Sequence, residues 1–98
     1  MSEKVENRKR LVLDAAYAIA SESGMVALNR DAVAVRAGLS TGTVSNAFGS
    51  MDDLRGAVIA RAVEAESLPL VRQGLALQHV AALSAPADLQ RRALATLA

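Results

Sequence analysis

Val33-Ala34-Val35-Arg36-Ala37-Gly38-Leu39-Ser40-Thr41-Gly42-Thr43-Val44-Ser45 is the stretch whose reading decides the fold. It opens as a short helix, stops at Gly38, turns through Leu39 and restarts at Ser40. Glycine ends a helix because it alone enters the left-handed region without strain, and a serine hydroxyl accepts from the free N–H groups of the next helix. Two short helices joined in this way form a helix-turn-helix, which lays its second helix in the DNA major groove.

Reading outward, Asn29 is an N-cap and Asp31 falls in a first turn, where negative charge suits the helix dipole. This predicts helix 2 from Arg30 to Ala37, with Ala32 and Val33 inward and Val35 or the stem of Arg36 beside them. Leu39 fills the corner. Helix 3 is expected from Thr41 to Phe48, with Val44 and Phe48 buried and Gly42, Thr43, Ser45 and Asn46 on the outer side. Upstream, residues 1–7 are polar and read as a flexible tail. From Arg8 the spacing of Leu11, Val12, Ala15, Ala16, Ile19 and Ala20 is that of one buried helix face, ended by Gly24. Met25-Val26-Ala27-Leu28 is an apolar connector that plugs the core.

Downstream, Ser50-Met51-Asp52-Asp53 resembles a capping box, with Asp53 where Glu is usual. Helix 4 follows with Leu54, Val58, Ile59 and Ala62 as its stripe, and it ends by Leu68 because the residue before Pro69 disfavours helix. A fifth helix is expected from Pro69 to Leu83, weakened by Gly74, and a last one capped by Ser84 with Pro86 in its first turn. The fold class is all-α: a homeodomain-like three-helix domain over 8–50, followed over 51–98 by a helical linker and dimerisation segment.

Composition fits a single small domain. Aromatic residues make up only 2%, Tyr17 and Phe48, so the core is built from Ala, Val, Leu, Ile and Met. A core of this size is marginal, and oligomerisation is a natural supplement. The absence of cysteine excludes a disulfide framework, a thiolate zinc site and a thiol nucleophile, and fits a reducing cytoplasm. The N-terminus does not read as a signal peptide, and the apolar stretches fall short of the ~20 residues of a membrane span. With one histidine and no paired-carboxylate pattern beyond Asp52-Asp53, the sequence offers no active site and calls for no cofactor. His79 reads as a surface or packed side chain rather than a metal ligand, and Met25 and Met51 as gap fillers.

Net charge is only +1, so the distribution of charge carries the argument. Arg8, Lys9 and Arg10 are consecutive. They read either as a solvated helix start or as an arm contacting phosphates or the minor groove. Thr41, Thr43, Ser45 and Asn46 are the candidates for base edges and phosphates: Asn pairs bidentately with adenine, and Thr offers a methyl to thymine. Gly42 lets the backbone approach DNA closely. Ser40 caps helix 3 with its amide end available to a phosphate. Asn29 and Arg30 start helix 2, where a phosphate contact fits the geometry. Arg36 either contacts the backbone or pairs with Asp52 or Asp53. Leu39, Val44, Phe48 and Leu54 are core.

Ala15-Ala16, Gly24, Val33-Ala34, Ala37-Gly38-Leu39-Ser40, Gly42-Thr43-Val44, Phe48-Gly49-Ser50 and Asp53-Leu54 together resemble the DNA-binding domain of the TetR family of bacterial repressors. The likeness covers roughly residues 10 to 58, about half the chain. It implies a transcriptional regulator, a homodimer on a palindromic double-stranded DNA operator, and a C-terminal helical domain that dimerises and binds a small-molecule effector. Helix 4 would couple that domain to the reading head. Some positions depart from the family: Ser45 stands where Tyr is common, Asn46 and Ala47 where aromatic, basic or His residues are common, Met51 where Lys is usual, and Ala20 where an aromatic is frequent. The lost backbone-holding groups imply low affinity per protomer. Only about forty residues follow the likeness, so the chain reads as a short form or a fragment. The apolar residues there (Leu68, Leu70, Val71, Leu75, Leu77, Val80, Leu83, Leu89, Leu94 and Leu97) are expected to close against a second copy.

Three rivals remain. Thr43-Val44-Ser45-Asn46 is similar to the lactose-repressor headpiece, but the long preceding helix and the Phe48-Gly49-Ser50-Met51-Asp52-Asp53-Leu54 tail argue against that family. A helix-turn-helix-shaped module that pairs with another regulator without binding DNA agrees with the near-neutral charge and with Ser45 and Met51. The third is a purely structural helical dimer.

Overall fold

The computed structural model describes residues 2–96, so Met1 of the expected tail and Leu97 of the expected apolar face lie outside it. Among the described residues there are seven helices and no strand, the all-α class read from the sequence. Two compact units divide the chain, one through Arg55 and one from Gly56, five residues beyond the boundary expected at residue 50.

In the first unit, α1 (Ser2–Ser23) begins before Arg8 and takes in residues 2–7, which the sequence reading made a tail. Nothing in that stretch stops a helix: it holds no Gly or Pro, and Asn7 Oδ1 accepts from Arg10 Nη2 at 2.8 Å one turn on. Val12, Ala15, Ala16, Ile19 and Ala20 are buried on one face. Leu11, expected among them, is 42% exposed because it lies off the stripe centred on Val12. Gly24, at φ 88°, ends the helix and donates its N–H to the Ala20 carbonyl at 2.8 Å. A single 3-10 turn over Met25–Ala27 follows. Met25 and Leu28 plug the core, while Val26 between them is fully outward.

α2 (Arg30–Ala37) is capped by Asn29, whose Oδ1 accepts from Ala32 N–H at 2.8 Å. It ends at Gly38, left-handed at φ 69°, with the Leu39 N–H returning to the Ala34 carbonyl. Val33 is buried as expected, but its buried companion is Ala34; Ala32 is half-buried, and Val35, at 82% exposed, and Arg36 face outward. α3 (Thr41–Ala47) buries Val44, and Phe48 sits just past its end, half-buried in extended backbone. α1 packs on α2 and α3, and α2 on α3. Ser50 Oγ accepts from Asp53 N–H at 3.0 Å and starts α4 (Met51–Glu64), whose Leu54 has no exposed surface.

In the second unit, Val58, Ile59 and Ala62 of α4 are fully buried. The helix expected over Pro69–Leu83 is two helices, α5 (Leu68–Ala76) and α6 (Val80–Leu83). Gln78 breaks them apart in the left-handed region at φ 54°, and His79 Nδ1 caps the restart by accepting from Ala81 N–H at 3.1 Å. Gly74 does not weaken α5 so much as let it pack: a Cβ there would meet Ala82 Cβ at 2.9 Å and Ile59 Cγ2 at 3.1 Å. α7 (Ala87–Ala95) packs on α5. Ser84 closes α6 rather than capping α7, and Pro86 stands at the cap of α7, one position ahead of its first turn. Gln90 Nε2 donates to the Leu83 and Ala85 carbonyls left open by that turn, at 3.1 and 2.8 Å.

Candidate nucleic-acid interface

The outward surface of α3 is small and uncharged. Thr41, Gly42 and Asn46 are exposed, and Thr43 and Ser45 are half-buried. Ser40 Oγ accepts from Thr43 N–H at 3.1 Å and lies 2.9 Å from Thr43 Oγ1. One of these two hydroxyls donates to the other, and Thr43 also carries a methyl. At Gly42 a Cβ would meet nothing closer than Ser40 Oγ at 3.8 Å, an ordinary contact. Packing within the chain does not demand glycine there.

Two depressions flank α3, each reached by an arginine. In the first, Arg8 of α1 meets Thr43, Asn46 and Ala47, with Val5 beside it, around a volume of about 90 Å³. Val5, Arg8 and Val12 are spaced i, i+3, i+7, so the side of α1 that buries Val12 carries Arg8 to α3. In the second, Arg30 at the start of α2 lines a shallow hollow with Ser45, Phe48, Ser50 and Met51 over Val44 and Leu54. No carboxylate among the described residues pairs with Arg8, Lys9 or Arg30.

The basic triplet is thus divided. Arg8 reaches α3, Arg10 donates to Asn7, and Lys9 is exposed and lines neither depression. Asn29 is exposed, and its side chain is occupied as a cap. Arg36 pairs with neither Asp52 nor Asp53. Its Nη1 and Nη2 donate to Glu22 Oε1 and Oε2 at 2.9 and 2.7 Å, a bidentate fork joining the ends of α1 and α2. The hydrogen bonds and charge of Arg36 hold the Glu22 carboxyl below its usual range, and Glu22 in turn raises the Arg36 guanidinium. The reading of the sequence missed Glu22 as that partner and Val5 and Ala47 as lining residues. The spacing of Val5 with Val12 was the available signal.

Among the described residues no group of three or more His, Cys, Asp or Glu side chains is placed to hold a metal ion. No described helix is long and apolar enough to cross a membrane.

Residues 12–58 match the family of bacterial regulatory proteins described as the tetR family. The domain belongs to the tetR family. The match starts at Val12, the first fully buried residue of α1, and ends at Val58 in α4, so it contains the whole helix-turn-helix. Membership makes this a DNA-binding regulator with its helix-turn-helix at the N-terminal end. Arg8 and its depression lie just ahead of the tetR match. No curated protein and no solved structure matches the chain.

Proposed function

We propose that the chain is a cytoplasmic transcriptional repressor that binds a palindromic operator as a homodimer, with α3 in the major groove. The observation that carries this is the uncharged, exposed face of α3 flanked by Arg8 and Arg30, neither paired with a carboxylate. Neutral groups at the centre suit base edges, and cations at the flanks suit phosphates. In this reading Arg8 and Arg30 neutralise backbone charge with Lys9 nearby, Asn46 reads a base, and Thr41, Gly42 and Ser45 approach the groove. Ser40, Thr43 and Asn29 hold the helix ends that present those groups.

Two half-sites about one helical turn apart need a two-fold protein. The half-exposed or more exposed Leu77, Val80, Leu83 and Leu94 of the second unit support closure against a second copy. A second reading, the protein-interaction module, is favoured by one observation: α3 itself contributes no cation.

Selection of the chain on a pool of random duplexes, with light scattering on the same sample, separates the two. An enriched palindrome bound by a dimeric mass supports the repressor. A folded dimer that enriches nothing supports the module. Asn46→Ala is expected to relax one base position, whereas Arg30→Ala weakens all sequences alike. Equal loss of selectivity in both would remove the base-reading role of Asn46.

A further inference from the structure

Guanine is most often read by the paired donors of Arg or Lys, and α3 has neither. Its one side chain able to form two hydrogen bonds to a base edge is the amide of Asn46, which suits adenine: the amide nitrogen donates to N7 and the amide oxygen accepts from N6. Asn46 is exposed, and among the described residues nothing hydrogen-bonds its amide.

The depression beside Asn46 adds a second recognition element. Its volume of about 90 Å³ is several times the ~10–15 Å³ that a cavity needs to hold one water. That is well below the ~300–1,000 Å³ of small-molecule sites. It is therefore too small for a small-molecule effector, and it has room for a methyl group. Val5 and Ala47 line it, and Thr43, with its hydroxyl engaged by Ser40, has a methyl to add. The thymine C5-methyl is the apolar group that base edges present in the major groove.

We propose that Asn46 and this depression form one subsite for a step containing two A·T pairs. Asn46 takes the adenine of one pair, the methyl of a thymine in the neighbouring pair enters the space between Val5 and Ala47, and Arg8 at the rim holds the flanking phosphate. This rests on the DNA-binding reading above and goes beyond it by naming what the half-site must contain.

The test uses the full chain and the half-site enriched from random duplexes. Each dT is then replaced in turn by deoxyuridine, which removes only the C5-methyl, and each dA by 7-deaza-dA, which removes only N7. Expected are one 7-deaza-dA-sensitive position whose preference falls by roughly 5- to 150-fold in Asn46→Ala, and one adjacent deoxyuridine-sensitive position. Val5→Ala, a change at an exposed residue, should blunt the deoxyuridine effect while leaving the adenine preference. An enriched half-site in which Asn46→Ala relaxes a G·C pair, or in which no deoxyuridine matters, overturns this subsite while leaving DNA binding intact. No enrichment at all overturns the DNA-binding reading, and this proposal with it.

Discussion

In the first unit Arg8 and Arg30 flank α3 without an ion pair to a described carboxylate, whereas in the second Arg72, Arg91 and Arg92 each have a partner within the unit. Arg92 pairs with Glu66 at 2.9 Å, Arg91 with Asp88 at 3.2 Å, and Arg72 Nη1 lies 3.3 Å from Thr96 Oγ1. Within the first unit, the guanidinium that finds a carboxylate, Arg36, lines neither α3 depression. The same residue type thus stands in two settings: paired within the chain in the second unit, and outside any ion pair at the flanks of α3, where the proposed reading places a polyanion. A net charge of +1 hides this, because the balance is struck over the whole chain and not around α3.

The largest effect comes from the scaffold beneath the site. Leu54 is fully buried and lines the floor of the Arg30 hollow, so Leu54→Ala should cost about 2–5 kcal/mol of stability in denaturant unfolding. A loss under about 1 kcal/mol would mean that the hollow does not rest on this core. Next in size is a contrast between cations. Arg92→Ala removes an ion pair whose partners are each about half exposed, and should lower stability by no more than about 1 kcal/mol, with DNA affinity unchanged. Arg8→Ala should leave the melting temperature alone and weaken DNA binding. Matching effects of the two substitutions would erase the distinction between the units.

The smallest effect belongs to Glu22. Its folded carboxyl titrates below the usual range because Arg36 stabilises the charged form. The pair therefore adds stability above the unfolded carboxylate pKa, and that stability is lost as pH falls through the lower folded value. Glu22→Gln should lower the melting temperature slightly at neutral pH and leave it unchanged in acid below the folded carboxyl's pKa, so that the acid-side fall becomes shallower. A profile unchanged by the substitution would show that the fork does not survive in solution.

Much of the first unit was legible because its boundaries depend on local chemistry. Asn29, Ser40 and Ser50 cap where their hydroxyl or amide oxygens predict, and Gly24 and Gly38 stop helices where positive φ is needed. The second unit was harder to read because its break at Gln78 uses a residue with no strong turn preference, and because Gly74 answers to packing against Ala82 and Ile59 rather than to helix propensity. Candidate residues along α3 could be named from periodicity. That Arg8 rather than Lys9 or Arg10 meets them follows from its spacing with Val5 and Val12, a signal that reading residues 1–7 as a tail obscured. The Glu22–Arg36 fork, fourteen residues apart, depends on how α1 packs against α2, which no spacing within either helix encodes.

The most direct test of the central claim is the salt dependence of binding to the enriched duplex, for the parent chain and for Arg8→Ala and Arg30→Ala. The account predicts a steep fall of affinity with salt, and a slope of log K against log salt that flattens by about 0.9 for each phosphate contact removed. A slope that neither substitution changes would contradict the assignment of Arg8 and Arg30 to the DNA backbone.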